Sequence, residues 1–322
     1  MRNLEVRIRR TPATAGDFEV VPGELPRLTN GGLLCRARWL AVDPFACAAT
    51  HSNTMPRPGD VVPALGVCEV LESRHDVFAV GQQIVLECGM REICVSDGQN
   101  ACALHPGQSP ASTALGLLGP SGMAAYFGLL DLARLRRGET ILVSAAANVA
   151  GAMAGQVARI KNARAVGIGS SREKCDWSTR HARFSACVNL HSEDMSARLR
   201  QLAPRGFDVY FDNSGGELLE AVLAGRHLAA GGRVILNSVR EDDPAELLQR
   251  AGYAPGQVTV LRVNMANYAH RRGEFLKDAI AWYGADRLVC REDVAVGLEN
   301  APAHLIKAMR GENFGRSLIK IG

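Results

Sequence analysis

The stretch Glu139–Cys175, ETILVSAAANVAGAMAGQVARIKNARAVGIGSSREKC, constrains this chain more than any other part of it. A short apolar run, Ile141–Val143, enters a segment of small residues and then a helical pattern through Ile160. A second apolar run, Ala165–Ile168, follows and ends in Gly-Ser-Ser-Arg. This is the strand–turn–helix–strand layout of a dinucleotide-binding unit. Asn148, Gly151 and Gly155 are small because the backbone there must approach a pyrophosphate and the helix must lie close on its strand. The start of that helix offers unpaired N–H groups and a positive dipole end to phosphates.

The second apolar run distinguishes the two nicotinamide nucleotides. About twenty residues beyond the turn, an NAD site carries a carboxylate for the ribose 2′-hydroxyl. Here that point falls on Gly169, Ser170, Ser171 and Arg172, followed by Glu173 and Lys174. Hydroxyls, a guanidinium and an ammonium suit a 2′-phosphate, whereas a carboxylate at the strand end would repel it. NADP(H) is therefore favoured, with Ser170, Arg172 and Lys174 as its candidate partners. The alternative is that Arg172 and Lys174 are ordinary solvated residues of a helix start.

At 322 residues the chain has room for two domains, and 47% hydrophobic with 22% charged residues is an ordinary globular composition. A net charge of +4, spread along the chain, gives no reason to expect a nucleic-acid or membrane partner. The nine cysteines contain no Cys-x-x-Cys pair, and the odd count favours reduced thiols over a disulfide framework. The eight histidines form neither a His-x-x-x-His pair nor the Gly-His-Glu element of zinc alcohol dehydrogenases, so no metal site is expected. Two charge-free stretches, Pro106–Leu130 and Ile141–Ala158, read as buried soluble elements, since each is interrupted by turn residues. The N-terminal MRNLEVRIRR lacks the apolar core of a signal peptide, and a cytoplasmic location is expected.

Up to about Leu115 the pattern is strand and turn, with alternating runs at Leu33–Val42, Gly66–Leu71 and Gln83–Leu86. Beyond it, strand candidates at Thr140–Val143, Ala165–Ile168, Ala186–Leu190, Asp208–Phe211, Arg233–Leu236 and Val258–Val263 alternate with helical patterns. That alternation predicts an α/β domain with a doubly wound parallel sheet. After Asp286 a polar, helix-compatible stretch leads to a last strand, Ser317–Ile321.

The chain resembles the medium-chain dehydrogenase/reductase superfamily, and within it the zinc-free prostaglandin, alkenal and curcumin double-bond reductases. The segments that carry the resemblance run in order along nearly the whole length. They are LAVDPF (Leu40–Phe45), ESRH (Glu72–His75), VSDG (Val95–Gly98), AAYFGLLDL (Ala124–Leu132), SAAANVAG (Ser144–Gly151), FDVYFDNSGG (Phe207–Gly216), REDVAVGLENAP (Arg291–Pro302) and ENFGRSLIK (Glu312–Lys320). The resemblance implies an N-terminal β-rich, partly barrel-like (GroES-like) domain, residues 1–115, which also takes the tail, residues 287–322. A Rossmann NADP-binding domain, residues 116–286, lies between. It implies that Val149, Ala150, Gly151 and Ala152 line the pyrophosphate and that Lys174 pairs the 2′-phosphate. Asn213, Asn237, Ser238 and Asn313 are then expected beside the cofactor. The implied reaction is hydride transfer from NADPH to the β-carbon of an α,β-unsaturated ketone or aldehyde, in a homodimer acting on a small molecule.

Departures from the family pattern gather where the chemistry is expected. Phe45-Ala46-Cys47 replace a Tyr-Met-Arg run, which makes Phe45, Cys47 and the following His51 the candidate pocket residues. Asn148 stands for the first glycine of the phosphate turn and tolerates a positive φ better than other non-glycine residues. Ala124 replaces a threonine, and Asn237-Ser238-Val239-Arg240 replace the nicotinamide-side loop. Tyr253 is the remaining hydroxyl candidate for proton donation and for the pocket wall. Two other readings stay open: a non-redox rearrangement, cyclisation or addition by a divergent member, and a nucleotide-sensing or nucleic-acid-binding role.

Overall fold

The computed structural model describes residues 3–10, 15–43, 57–192, 194–238 and 243–322. The chain divides into two compact units, Met1–Gly116 with Arg291–Gly322, and Leu117–Cys290. The second unit runs past residue 286 because Val289 stays tied to it. The Gln156 amide accepts from the Val289 N–H at 2.7 Å and donates to its carbonyl at 2.9 Å.

In the first unit β1 (Leu4–Ile8) pairs antiparallel with β2 (Phe18–Pro22). β3 (Leu33–Ala41), β4 (Leu65–Ser73), β5 (Gln83–Glu87), β6 (Ile93–Ser96) and β7 (Cys102–Ala103) follow. Leu33, Cys35 and Ala37 of β3 turn inward at the two-residue period of a strand, and two bulges, at Leu34/Cys35 and Ala37/Trp39, bend it.

The second unit begins with α1 (Pro120–Phe127) and then alternates: β8 (Thr140–Val143), α2 (Val149–Ile160), β9 (Arg164–Gly169), α3 (Arg172–Arg180) and β10 (Ala186–Asn189). α4 (Met195–Leu202), β11 (Phe207–Asp212), α5 (Gly216–Ala224), β12 (Leu228–Leu236), α6 (Pro244–Arg250), β13 (Val258–Arg262) and α7 (Arg272–Gly284) complete it. The strands lie in the order β10-β9-β8-β11-β12-β13, all parallel. This is the doubly wound Rossmann order, and its topological switch point falls between β8 and β11, at their C-terminal ends.

The chain then returns to the first unit through β14 (Glu292–Val296), α8 (Ala301–Met309) and β15 (Arg316–Lys320). β14 lies parallel to β15, and β15 antiparallel to β3, giving the order β14-β15-β3-β4-β5-β7 with β6 also on β3. The stretch after Asp286, expected as helix, thus contains a strand. Residues Glu292–Val296 are half-exposed and carry no apolar run, and only the free edge of β15 makes them extended.

No two of the eight described cysteines are joined in a disulfide. Among the described residues no group of three or more His, Cys, Asp or Glu is placed to hold a metal ion, and no helix is long and apolar enough to cross a membrane.

Helix α2 lies close on the sheet because its inner face is Gly151, Ala154, Gly155 and Ala158. A Cβ at Gly155 would run into the ring of the buried Phe184. Gly155→Ala is expected to cost about 1–3 kcal/mol by overpacking. Phe184→Leu in the same chain should recover part of that loss, read as non-additive shifts in denaturant midpoint.

Candidate nucleotide site

The turn from β8 into α2 is held by its own side chain. Asn148 is the N-cap of α2, and its carbonyl oxygen accepts from the Gly151 N–H at 2.6 Å. Asn148 is extended, with φ −77°, so the tolerance of positive φ expected of it is not used. The left-handed residue of the turn is instead Ala145, at φ 48°. The Ala145 carbonyl packs against Gly151 so tightly that any Cβ there would collide with it. The N–H groups of Val149 and Ala150, on residues that are almost fully buried, find no acceptor among the described residues. Two orphan donors at a positive helix end are what a diphosphate satisfies.

At the end of β9 the chain turns through Ser170 and Ser171. Ser171 caps α3 by accepting from the Lys174 N–H at 3.2 Å, and the Lys174 ammonium donates to Ser170 Oγ at 3.2 Å. Burial pushes the Lys174 ammonium below its ordinary value, with Glu173 opposing that shift. A cation held partly out of water beside two hydroxyls fits a 2′-phosphate. Arg172 is exposed at the same corner.

A third cluster lies at the C-terminal ends of β8, β11 and β12. The Asp212 carboxylate is fully buried and accepts from Tyr210 OH at 2.8 Å, Ser144 Oγ at 3.0 Å, Ser238 Oγ at 3.3 Å and the Gly215 N–H at 2.9 Å. Ser144 Oγ in turn accepts from the Asn213 N–H at 2.8 Å. The Asn213 amide donates to the Ser144 carbonyl at 3.0 Å and accepts from the Asn237 amide at 2.9 Å. Asn213, Asn237 and Ser238 are thereby brought together at the switch point. Sequence reasoning missed Asp212, Ser144 and Tyr210. Their only signal was a carboxylate and a hydroxyl ending two apolar runs that pair in the sheet.

Other candidates lie elsewhere. Tyr253 precedes β13, at the N-terminal end of the strands and therefore at the far end of the sheet from Asn213 and Asn237. It is packed into the core with the Arg226 guanidinium 5.0 Å from its ring centre, and burial pushes its phenol up. The expectation that Tyr253 serves as proton donor or pocket wall is therefore corrected, because α6 turns the chain back before residue 253. Asn313 belongs to the other unit, where its amide donates to the Gly315 carbonyl at 3.1 Å. Phe45, Cys47 and His51 lie outside the described residues, as do Val239 and Arg240.

Two family profiles match, one described as the N-terminal domain of oxidoreductase over residues 4–104 and one as zinc-binding dehydrogenase over residues 150–283. Prostaglandin reductase 1 of Oryctolagus cuniculus is 34% identical across 94% of this chain and 88% of its own. The chain belongs to the medium-chain dehydrogenase/reductase superfamily. A second superfamily relative, the NADPH-dependent curcumin reductase of Escherichia coli (strain K12), is 31% identical across 95% of this chain and 90% of its own. The crystal structure of CurA in complex with NADPH from Vibrio vulnificus superimposes with a TM-score of 0.88 at 28% identity, covering 100% of this chain and 99% of that one. This chain therefore has the two-domain fold of the superfamily, a β-rich unit and a Rossmann unit.

Asp212→Asn places an amide donor among donors that all point inward. It is expected to lower stability by roughly 2–3 kcal/mol, because at least one buried donor loses its partner. Ser144→Ala should cost less and should loosen the Asn213 backbone, seen as faster amide exchange at that residue.

Proposed function

We propose that this protein uses NADPH to reduce the carbon–carbon double bond of an α,β-unsaturated ketone or aldehyde. The observation that carries the reading is the corner at the end of β9. Its hydroxyl–ammonium pair, with no carboxylate ending the strand, stands beside a helix start with orphan N–H groups. The relatives named for prostaglandin and curcumin reduction, matched over more than nine-tenths of this chain, support it.

Bound NADPH supplies the hydride that such a reduction needs. The chain's own residues position and shield. Val149 and Ala150 bind the pyrophosphate through their backbone N–H groups, and Gly151 and Ala152 line it. Ser170 and Lys174, with Arg172 beside them, hold the 2′-phosphate. The Asn213–Asn237 pair and Ser238 present fixed amide and hydroxyl dipoles at the nicotinamide end. A preorganised dipole costs no reorientation as charge develops on the substrate oxygen. Residues 117–290 serve as the NADP-binding domain, while residues 1–116 and 291–322 form the substrate side, with Phe45, Cys47 and His51 as its pocket residues.

The reaction is zinc-independent in this reading, which rests on the missing Gly-His-Glu element. Activity should survive a strong chelator. The protein acts as a cytoplasmic homodimer, supported by the outer edge of β13, which has no strand partner among the described residues. Light scattering at the mass of one chain would remove the dimer.

The purified protein is expected to oxidise NADPH when offered enones and enals, and silence across a broad panel despite cofactor binding would sink the proposal. Lys174→Ala should weaken NADPH binding about 10- to 100-fold and leave NADH binding unchanged, the worth of one charge-assisted contact. The pH dependence has a definite sign. The 2′-phosphate pairs with the charged ammonium, so NADPH affinity is full below the lowered Lys174 value and falls as pH rises through it. Calorimetry with NADPH and NADH across neutral to alkaline pH reads the difference directly.

A further inference from the structure

The same sheet has a second charged end. A cavity of about 300 Å³ opens where α2, α3 and α7 finish, at the N-terminal ends of the strands. Four guanidinium groups line it: Arg159 from the last turn of α2, Arg180 and Arg183 around the end of α3, and Arg287 after α7. Asp286 is the one carboxylate in the wall. None of the four arginines is in an ion pair among the described residues.

The usual fate of a surface arginine does not account for this grouping. Helix C-termini attract cations, but each offers only about half a negative charge. Three helix ends and one carboxylate leave the cluster with an excess of about one and a half positive charges on that basis. Arg159 bears the strain of it. One of its terminal nitrogens donates to the Arg287 carbonyl at 2.7 Å, while its Nε is enclosed without a hydrogen-bond partner among the described residues. Burial pushes this guanidinium below its ordinary value, and Arg183 and Arg287 push it further. The floor is rigid, because Gln156 is fully buried and clamped by its bonds to Ala152 and Val289. One wall is aromatic, with Trp177 and His181 stacked at 6.3 Å between ring centres.

We infer that this cavity is a second anion site, distinct from the cofactor site, which takes a small polyphosphate between the four arginines. Planar guanidinium forks match phosphate oxygens in pairs, and a diphosphate carries enough charge to offset the excess. The volume admits a diphosphate together with its first waters. Neither end of the cofactor reaches it, because the cofactor residues stand at the opposite ends of the strands.

The test is calorimetric titration of the full chain, saturated with NADPH so that its other phosphate-binding residues are occupied, using inorganic diphosphate and, separately, ADP. Saturable binding is expected, weakening as salt rises. The double variant Arg180→Gln/Arg287→Gln alters two exposed side chains and should melt with the parent. It should lose about a hundredfold in affinity, about one order of magnitude for each of the two charge-assisted contacts removed. Asp286→Asn removes the one repelling carboxylate and should tighten binding about threefold or more. ADP binding tighter than diphosphate would identify a nucleotide as the ligand, and equal binding a free polyphosphate. Absence of saturable binding, or affinities unchanged in both variants, overturns the site. The comparison of variants with parent also holds without NADPH, so failure of the cofactor reading would be visible separately.

Discussion

A buried carboxylate, ringed by hydroxyl and N–H donors, organises the end of the Rossmann sheet. Asp212 is fully withdrawn from water, which is costly for an ionised group unless donors surround it. Here the donors are two hydroxyls from the sheet core, a third from Ser238 and backbone N–H groups of the turn that follows. Each donor belongs to a different point of three adjacent strand ends. The carboxylate therefore fixes the relative register of β8, β11 and β12 where they meet. Asn213 and Asn237 inherit their positions from it, since both amides hang on the residues it anchors.

The opposite end of the same helices has the complementary electrostatics. At the strand C-termini, α2 and α3 begin, with positive dipole ends, orphan N–H groups and a lysine. At the strand N-termini they finish, and arginines accumulate against carbonyl oxygens. The first arrangement is the standard logic of a phosphate-binding helix start. The second exceeds what helix capping needs, because Arg159, Arg183 and Arg287 repel one another and Asp286 alone opposes them in the cavity wall.

Much of this architecture was legible in the residues. The buried strands β8 to β11 announce themselves as short apolar runs of three or four residues, since both faces of a parallel sheet are covered. The capping residues Asn148 and Ser171 were visible as turn chemistry before helical patterns, although the positive φ expected of Asn148 fell on Ala145. Other elements left no local trace. The first half of β12, Leu228–Gly232, contains Ala-Ala-Gly-Gly and becomes a strand through pairing with β11 and β13. β14 is extended only because β15 offers it an edge.

The sequence by itself determined the fold class, through an alternation that repeats along the chain, and the nucleotide turn and the preference for a 2′-phosphate, which depend on residues within about forty positions of one another. Tertiary structure alone decided which polar groups meet. Ser144 and Asp212 lie 68 residues apart, and Arg159 and Arg287 lie 128 apart, so no periodicity or spacing relates them. The same cause removed Tyr253 from the expected site: a hydroxyl's place depends on which end of a strand its loop serves, and crossover topology sets that end.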